Sequence, residues 1–175
     1  RVISPLTSTA RLKRVTMTVN AEQFLSQEAE LQALRATLER RLDGLRAPAV
    51  TNDRVCAAMR EGVLTPGNSI RPLLPLQMAG DLGCDHQPPG VLDLACAVEM
   101  IHAASLILDD IPCMDNAQLR RGRPTIHRQF GEHIAILAAV ALLSKAYGIA
   151  AASEGLSAAC RSQAVSELAA AVGLQ

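Results

Sequence analysis

The stretch from Leu106 to Pro124 concentrates opposite charges beside an apolar run. Asp109, Asp110 and Asp115 fall within seven residues, and Arg120, Arg121 and Arg123 follow within the next eight. Carboxylates packed this closely repel one another unless a cation is present. Carboxylates alone suit Mg²⁺ or Ca²⁺, hard cations that take oxygen ligands. Arginines alone suit phosphate, which matches their planar fork of donors. Acids and arginines together suit a diphosphate carried by Mg²⁺, with apolar walls holding whatever is esterified to it. A solvated helix end with ordinary surface ion pairs is the plainer reading.

These residues must be delivered by the segment before them. Val91 to Leu108 is apolar apart mainly from Asp93, Glu99 and His102, which predicts one buried helix over about Val91–Asp110. On an ideal helix Asp109 and Asp115 would lie about 120° apart and could not share a metal. Pro112 removes a backbone donor and disfavours helix at Ile111. The helix is therefore expected to break after Asp110 and swing Asp115 back toward the first two acids. Helix is expected to resume near Thr125, with a joint at Gly131-Glu132. Ile134 to about Ala152 is apolar nearly all round, Ser153-Glu154-Gly155 breaks it, and Ser157–Leu174 is amphipathic.

Upstream, Phe24, Leu31, Leu34, Leu38, Leu42 and Leu45 form one stripe of a packing helix over Ala21–Leu45. Thr51 or Asn52 is the expected cap of a helix running through Glu61. Leu73–Leu82 reads as a short apolar helix and Gln87–Gly90 as a loop. Pro66-Gly67-Asn68-Ser69-Ile70-Arg71-Pro72 is a turn entering a helix. Free N–H groups at such an end, with Arg71 beside them, favour an anion, although turns of this composition are common. Residues 1–16 are basic, rich in Ser and Thr, and lack acids. They read as an extension that is not part of the fold, which is assigned to residues 17–175.

Composition narrows the possibilities. The chain has 175 residues, 49% of them apolar, and its formal net charge is zero. There is no basic footprint for nucleic acid, and aromatics are limited to Phe24, Phe130 and Tyr147, which leaves no base-stacking surface. The Ala-rich apolar content, with few alternating β-branched runs, predicts an all-α fold. Five cysteines without CxxC spacing suggest reduced thiols and an intracellular protein. Cys84 and His86 are weak evidence for zinc. The longest uninterrupted apolar run, Ile134–Leu143, is too short to span a bilayer.

Asp109-Asp110-x4-Asp115 followed by Arg120-Arg121-Gly122-Arg123-Pro124-Thr125-x-His127 resembles the first aspartate-rich motif of the trans-isoprenyl diphosphate synthases. The four-residue gap is similar to that of bacterial geranylgeranyl diphosphate synthases of carotenoid pathways. The likeness runs from about Arg40 to the last residue. It implies the N-terminal portion of an isoprenoid-synthase-type helical bundle, cytoplasmic and homodimeric. It further implies Mg²⁺-dependent, head-to-tail condensation of isopentenyl diphosphate with dimethylallyl, geranyl or farnesyl diphosphate.

By this resemblance Asp109, Asp110 and Asp115 bind Mg²⁺, and Arg120 binds the allylic diphosphate. Arg71, His102 and Arg121 bind isopentenyl diphosphate. Ala104 and Ser105, one turn before Asp109, leave room for a growing chain and with the longer gap point to a C20 product. Asn68 and Ser69 depart from the family pattern, which places Lys and Arg there; only Arg71 survives. Family members continue past this point with a second aspartate motif, so a partial sequence is expected. A terpene cyclase or head-to-head synthase is the enzymatic alternative, but cyclases line their cavities with aromatics to stabilise cations. A non-catalytic, regulatory subunit is the other, favoured by Asn68 and Ser69 and opposed by the intact acids and arginines.

Overall fold

The computed structural model describes residues 32–33, 36–37, 40–41, 53–64, 74, 78–79 and 89–173. Among these, five helices and a short two-stranded ribbon are described from end to end. They run in the order α1 (Arg54–Leu64), α2 (Pro89–Asp109), β1 (Leu119–Arg120), β2 (Arg123–Pro124), α3 (Ile126–Phe130), α4 (Glu132–Ala152) and α5 (Ala158–Val172). The residues described at 32–33, 36–37 and 40–41 are helical, inside the expected Ala21–Leu45 helix. Residues 1–16, Thr51, Asn52, the 66–72 stretch with Asn68, Ser69 and Arg71, and the Cys84–His86 pair lie outside the described residues.

α1 is capped by Asp53, whose Oδ1 accepts from the Val55 amide at 2.9 Å and the Cys56 amide at 3.4 Å. The Cys56 thiol also donates to Asp53 Oδ2 at 3.1 Å. Together these bonds hold the Asp53 carboxyl below its ordinary range, the thiol contributing most. The helix runs on to Leu64 rather than ending at Glu61.

α2 starts at Pro89, two residues before the expected position. Proline suits a first turn because its missing N–H would have no partner there. Gly90 then permits a close approach: a Cβ on it would lie 2.5 Å from Leu156 Cγ and 2.7 Å from the Glu154 carbonyl oxygen. Gly90→Ala is therefore expected to cost about 1–3 kcal/mol through overpacking. A urea midpoint lowered at unchanged slope checks it, and a variant as stable as the wild type contradicts it.

The core is built from small side chains. α2 and α4 pack most extensively on each other. Ala95, Ala97 and Ala104 of α2 and Ala135, Ala138, Ala139 and Ala146 of α4 are fully buried, filled out by Met100, Ile107 and Leu142. Alanine lets two helices approach closely, and the larger residues close the gaps. Buried Asp93 is satisfied by Arg41, Nε to Oδ1 at 2.7 Å. Burial pushes the Cys96 thiol up to about 12, so it packs as a small, inert core residue.

No uninterrupted apolar run is long enough to cross a bilayer, but whole helices judged by length and composition give a different picture. α2 and α4 are each 21 residues long and apolar enough to do so by length and composition. An uninterrupted-run criterion misses them because single polar residues do not end an apolar helix. The two helices pack on each other, which buries part of each apolar window within the fold.

α4 follows α3 across Gly131 and ends at buried Ser153, whose hydroxyl donates to the Ile149 carbonyl at 3.0 Å. α5 is capped by Ser157, which accepts from the Cys160 amide.

Candidate active site

α2 ends at Asp109, and the next residues fold back over its terminus. The Ile111 amide bonds the Leu108 carbonyl at 3.3 Å, tightening the last turn. The Asp115 amide then reaches the Asp109 carbonyl at 2.9 Å, and the Asn116 amide reaches the Ile111 carbonyl at 3.1 Å. Carbonyls that a helix end leaves unpaired are thus satisfied by the aspartate loop itself. The break expected after Asp110 is present one residue earlier, and the backbone of residue 115 is returned to residue 109.

Acids at a helix C-terminus sit at the wrong end of its dipole. Arg120 offsets one of them. Its Nε donates to Asp110 Oδ2 and its Nη2 to Asp110 Oδ1, both at 2.7 Å, a two-pronged grip on a carboxylate whose side chain is 4% exposed. The hydrogen-bonded Asp110 raises the Arg120 guanidinium above its ordinary range, and the charges of Asp109 and Asp115 add to this. Both carboxylate oxygens of Asp110 are thus engaged by Arg120. Among the described residues no group of three His, Cys, Asp or Glu side chains converges to hold a metal. What remains for a metal is the pair Asp109, half-buried, and Asp115, exposed. That donor set fits Mg²⁺, which commonly takes one or two carboxylates together with phosphate oxygens and waters.

The arginines sit on a hairpin that periodicity did not reveal. Leu119 pairs with Pro124 and Arg120 with Arg123. The two residues between, Arg121 (φ 53°) and Gly122 (φ 78°), are both left-handed, the backbone of a type I′ turn. Strands of two residues carry no alternation to read, although the X-Gly pair between two arginines was a usable signal. The hairpin is tied to α1 by Arg123, whose Nη2 lies 2.7 Å from Glu61 Oε1, a partner that sequence reasoning missed. A cleft between α1, α2 and the hairpin is lined by Gly62, Leu106, Asp110, Arg120, Arg121 and Arg123.

The two chain-length candidates separate. Ser105 is about 40° from Asp109 around α2, and Ala104 about 140°. Ser105 is exposed with its hydroxyl on the His102 carbonyl at 2.9 Å, while Ala104 is fully buried in the core. Ala104 thus packs against neighbouring helices and does not lie beneath Asp109. His102, about 20° from Asp109, is half-buried on that same side.

The polyprenyl synthetase family profile matches residues 52–173. The chain is 59% identical over 161 residues to a geranylgeranyl diphosphate synthase of Pantoea ananas, covering 91% of this chain and 53% of that protein. It is 52% identical over 159 residues to the geranylgeranyl diphosphate synthase of Pseudescherichia vulneris, covering 91% and 52%. A crystal structure of an FPP/GFPP synthase from Zymomonas mobilis superposes with a TM-score of 0.78 at 30% identity, over 85% of this chain and 54% of that one. The chain spans about half the length of these relatives.

Proposed function

The chain belongs to the polyprenyl synthetase family, and from that premise we propose that it carries the first aspartate wall of a geranylgeranyl diphosphate synthase. The reaction is the head-to-tail condensation of isopentenyl diphosphate with dimethylallyl, geranyl and farnesyl diphosphates to a C20 product. The observation that carries this reading is the Asp110–Arg120 pair, which fixes an arginine beside the two remaining acids.

Asp109 and Asp115 would hold Mg²⁺, which when bound supplies positive charge to the diphosphate that departs. Arg120 keeps donors free after pairing with Asp110, and its fixed orientation avoids reorganisation as charge develops on the leaving group. Arg121, with His102 and Arg71, would bind isopentenyl diphosphate, whose double bond attacks the allylic carbon before a proton is lost. The side of α2 that bears Ser105 offers a small side chain one turn before Asp109, leaving room for a lengthening chain. Apolar neighbours on α2 keep water from the cation. The proposal extends to a cytoplasmic homodimer; exposed Ile136, Leu137 and Val140 on α4 support the self-association part. Synthases as relatives, and only three aromatic residues in the chain, disfavour a cyclase.

The test is turnover of labelled isopentenyl diphosphate with farnesyl diphosphate by the full chain, with and without Mg²⁺, reading product length. A Mg²⁺-dependent C20 product is expected. Absence of any condensed product from folded full chain rejects the activity, and a product stopping at C15 rejects the chain length.

A further inference from the structure

We infer that Thr125 and His127 are positioning residues, a buried hydrogen-bond relay that locks the backbone between the aspartate loop and the arginine hairpin without touching substrate. The inference rests on the proposed function only in naming that segment as the diphosphate site.

The hairpin needs such a lock. It consists of two residue pairs, and Pro124 contributes no N–H to the ladder. Ribbons this short do not hold themselves in water. Thr125, 2% exposed, supplies what is missing. Its amide donates to the Gln118 carbonyl at 3.2 Å, and its hydroxyl donates to the Ala117 carbonyl at 2.8 Å. Its own carbonyl accepts from the Arg128 and Gln129 amides at 3.0 and 3.1 Å, starting α3. One residue therefore joins the segment just after Asp115 to the helix that follows the arginines.

His127 sets the direction of this lock. Its Nδ1 lies 3.1 Å from Thr125 Oγ1. A hydroxyl has one hydrogen, and the Ala117 carbonyl can only accept, so that hydrogen goes to Ala117. Thr125 Oγ1 must then accept from His127, which fixes the proton on Nδ1. Nε2 is left as a bare nitrogen, buried and without a partner among the described residues. The ring is 8% exposed, so it works through Thr125 and not on a substrate.

The asymmetry between the two nitrogens gives the test. Asparagine can place an amide N–H near the Nδ1 position; glutamine reaches toward Nε2 instead. In the full chain, His127→Gln and Thr125→Val are expected to raise the KM for the allylic diphosphate at limiting Mg²⁺ by about 10–100-fold per folded molecule. His127→Asn and Thr125→Ser should restore it to within about threefold of wild type. A role in stability alone would lower the folded fraction and leave that KM unmoved. Independently of turnover, ¹⁵N NMR of the wild-type ring should show the proton on Nδ1. A proton on Nε2, or rescue by glutamine equal to that by asparagine, overturns the relay. If the wild-type chain transfers no prenyl group, the proposed function fails and the ring proton alone decides the relay.

Discussion

Asp110→Asn is expected to cost stability first and metal affinity second, while Asp109→Asn and Asp115→Asn do the reverse. Asp110 is buried and gives both oxygens to Arg120. Breaking a fully buried pair costs about 3–5 kcal/mol, and the partial exposure of Arg120 reduces this to about 2–4 kcal/mol. Urea denaturation without Mg²⁺ measures it. Turnover should also fall about 10–100-fold, because an arginine that has lost its orienting carboxylate serves the diphosphate poorly. Removing the charge of Asp109 or Asp115 instead relieves repulsion between acids at a helix C-terminus, so stability should stay within about 0.5 kcal/mol of wild type or rise. Mg²⁺-dependent turnover should drop about 10²–10³-fold, the scale of losing one charge-stabilising contact. An Asp110→Asn variant as stable as wild type, with its Mg²⁺ half-saturation shifted as far as that of Asp109→Asn, would return Asp110 to the metal.

That division of labour was partly legible in the sequence. Asp110 follows Ile107 by three residues and Ala103 by seven, so it lies near the apolar face of α2, where both neighbours are buried. Ala104 follows Met100 by four residues and precedes Ile107 by three, both buried, so its own burial follows from the same periodicity. The family resemblance puts all three acids on one metal; the fold adds that Asp110 is buried and gives both oxygens to Arg120. The break after α2 was readable because Pro112 acts locally. The Asp93–Arg41 pair was not, since its partners are 52 residues apart and only the packed fold joins them. Glu61 as the partner of Arg123 was hidden for the same reason. Family motifs named the candidate residues; burial and partnership show which of them the protein itself engages.

Asn68→Lys with Ser69→Arg is expected to raise kcat/KM for isopentenyl diphosphate by about 100-fold or more. Residues 68 and 69 lie outside the described residues, so the placement rests on the family pattern. The structure sharpens the electrostatic side of the argument. Of the three arginines after the aspartates, Arg120 is paired with Asp110 and Arg123 with Glu61. Much of the positive charge counted in the sequence is already engaged within the protein, which leaves the two missing cations harder to replace. Each charge-assisted contact to a phosphate contributes about 1.5–3 kcal/mol, so two of them support at least the stated gain. The gain should appear mainly in KM and shrink at high ionic strength, as contacts near solvent do. Asn68→Gln with Ser69→Gln controls for side-chain size and should change little. Steady-state kinetics at low and high salt make the measurement. A double variant with no gain in kcat/KM at low salt would show that residues 68 and 69 do not bind the second diphosphate.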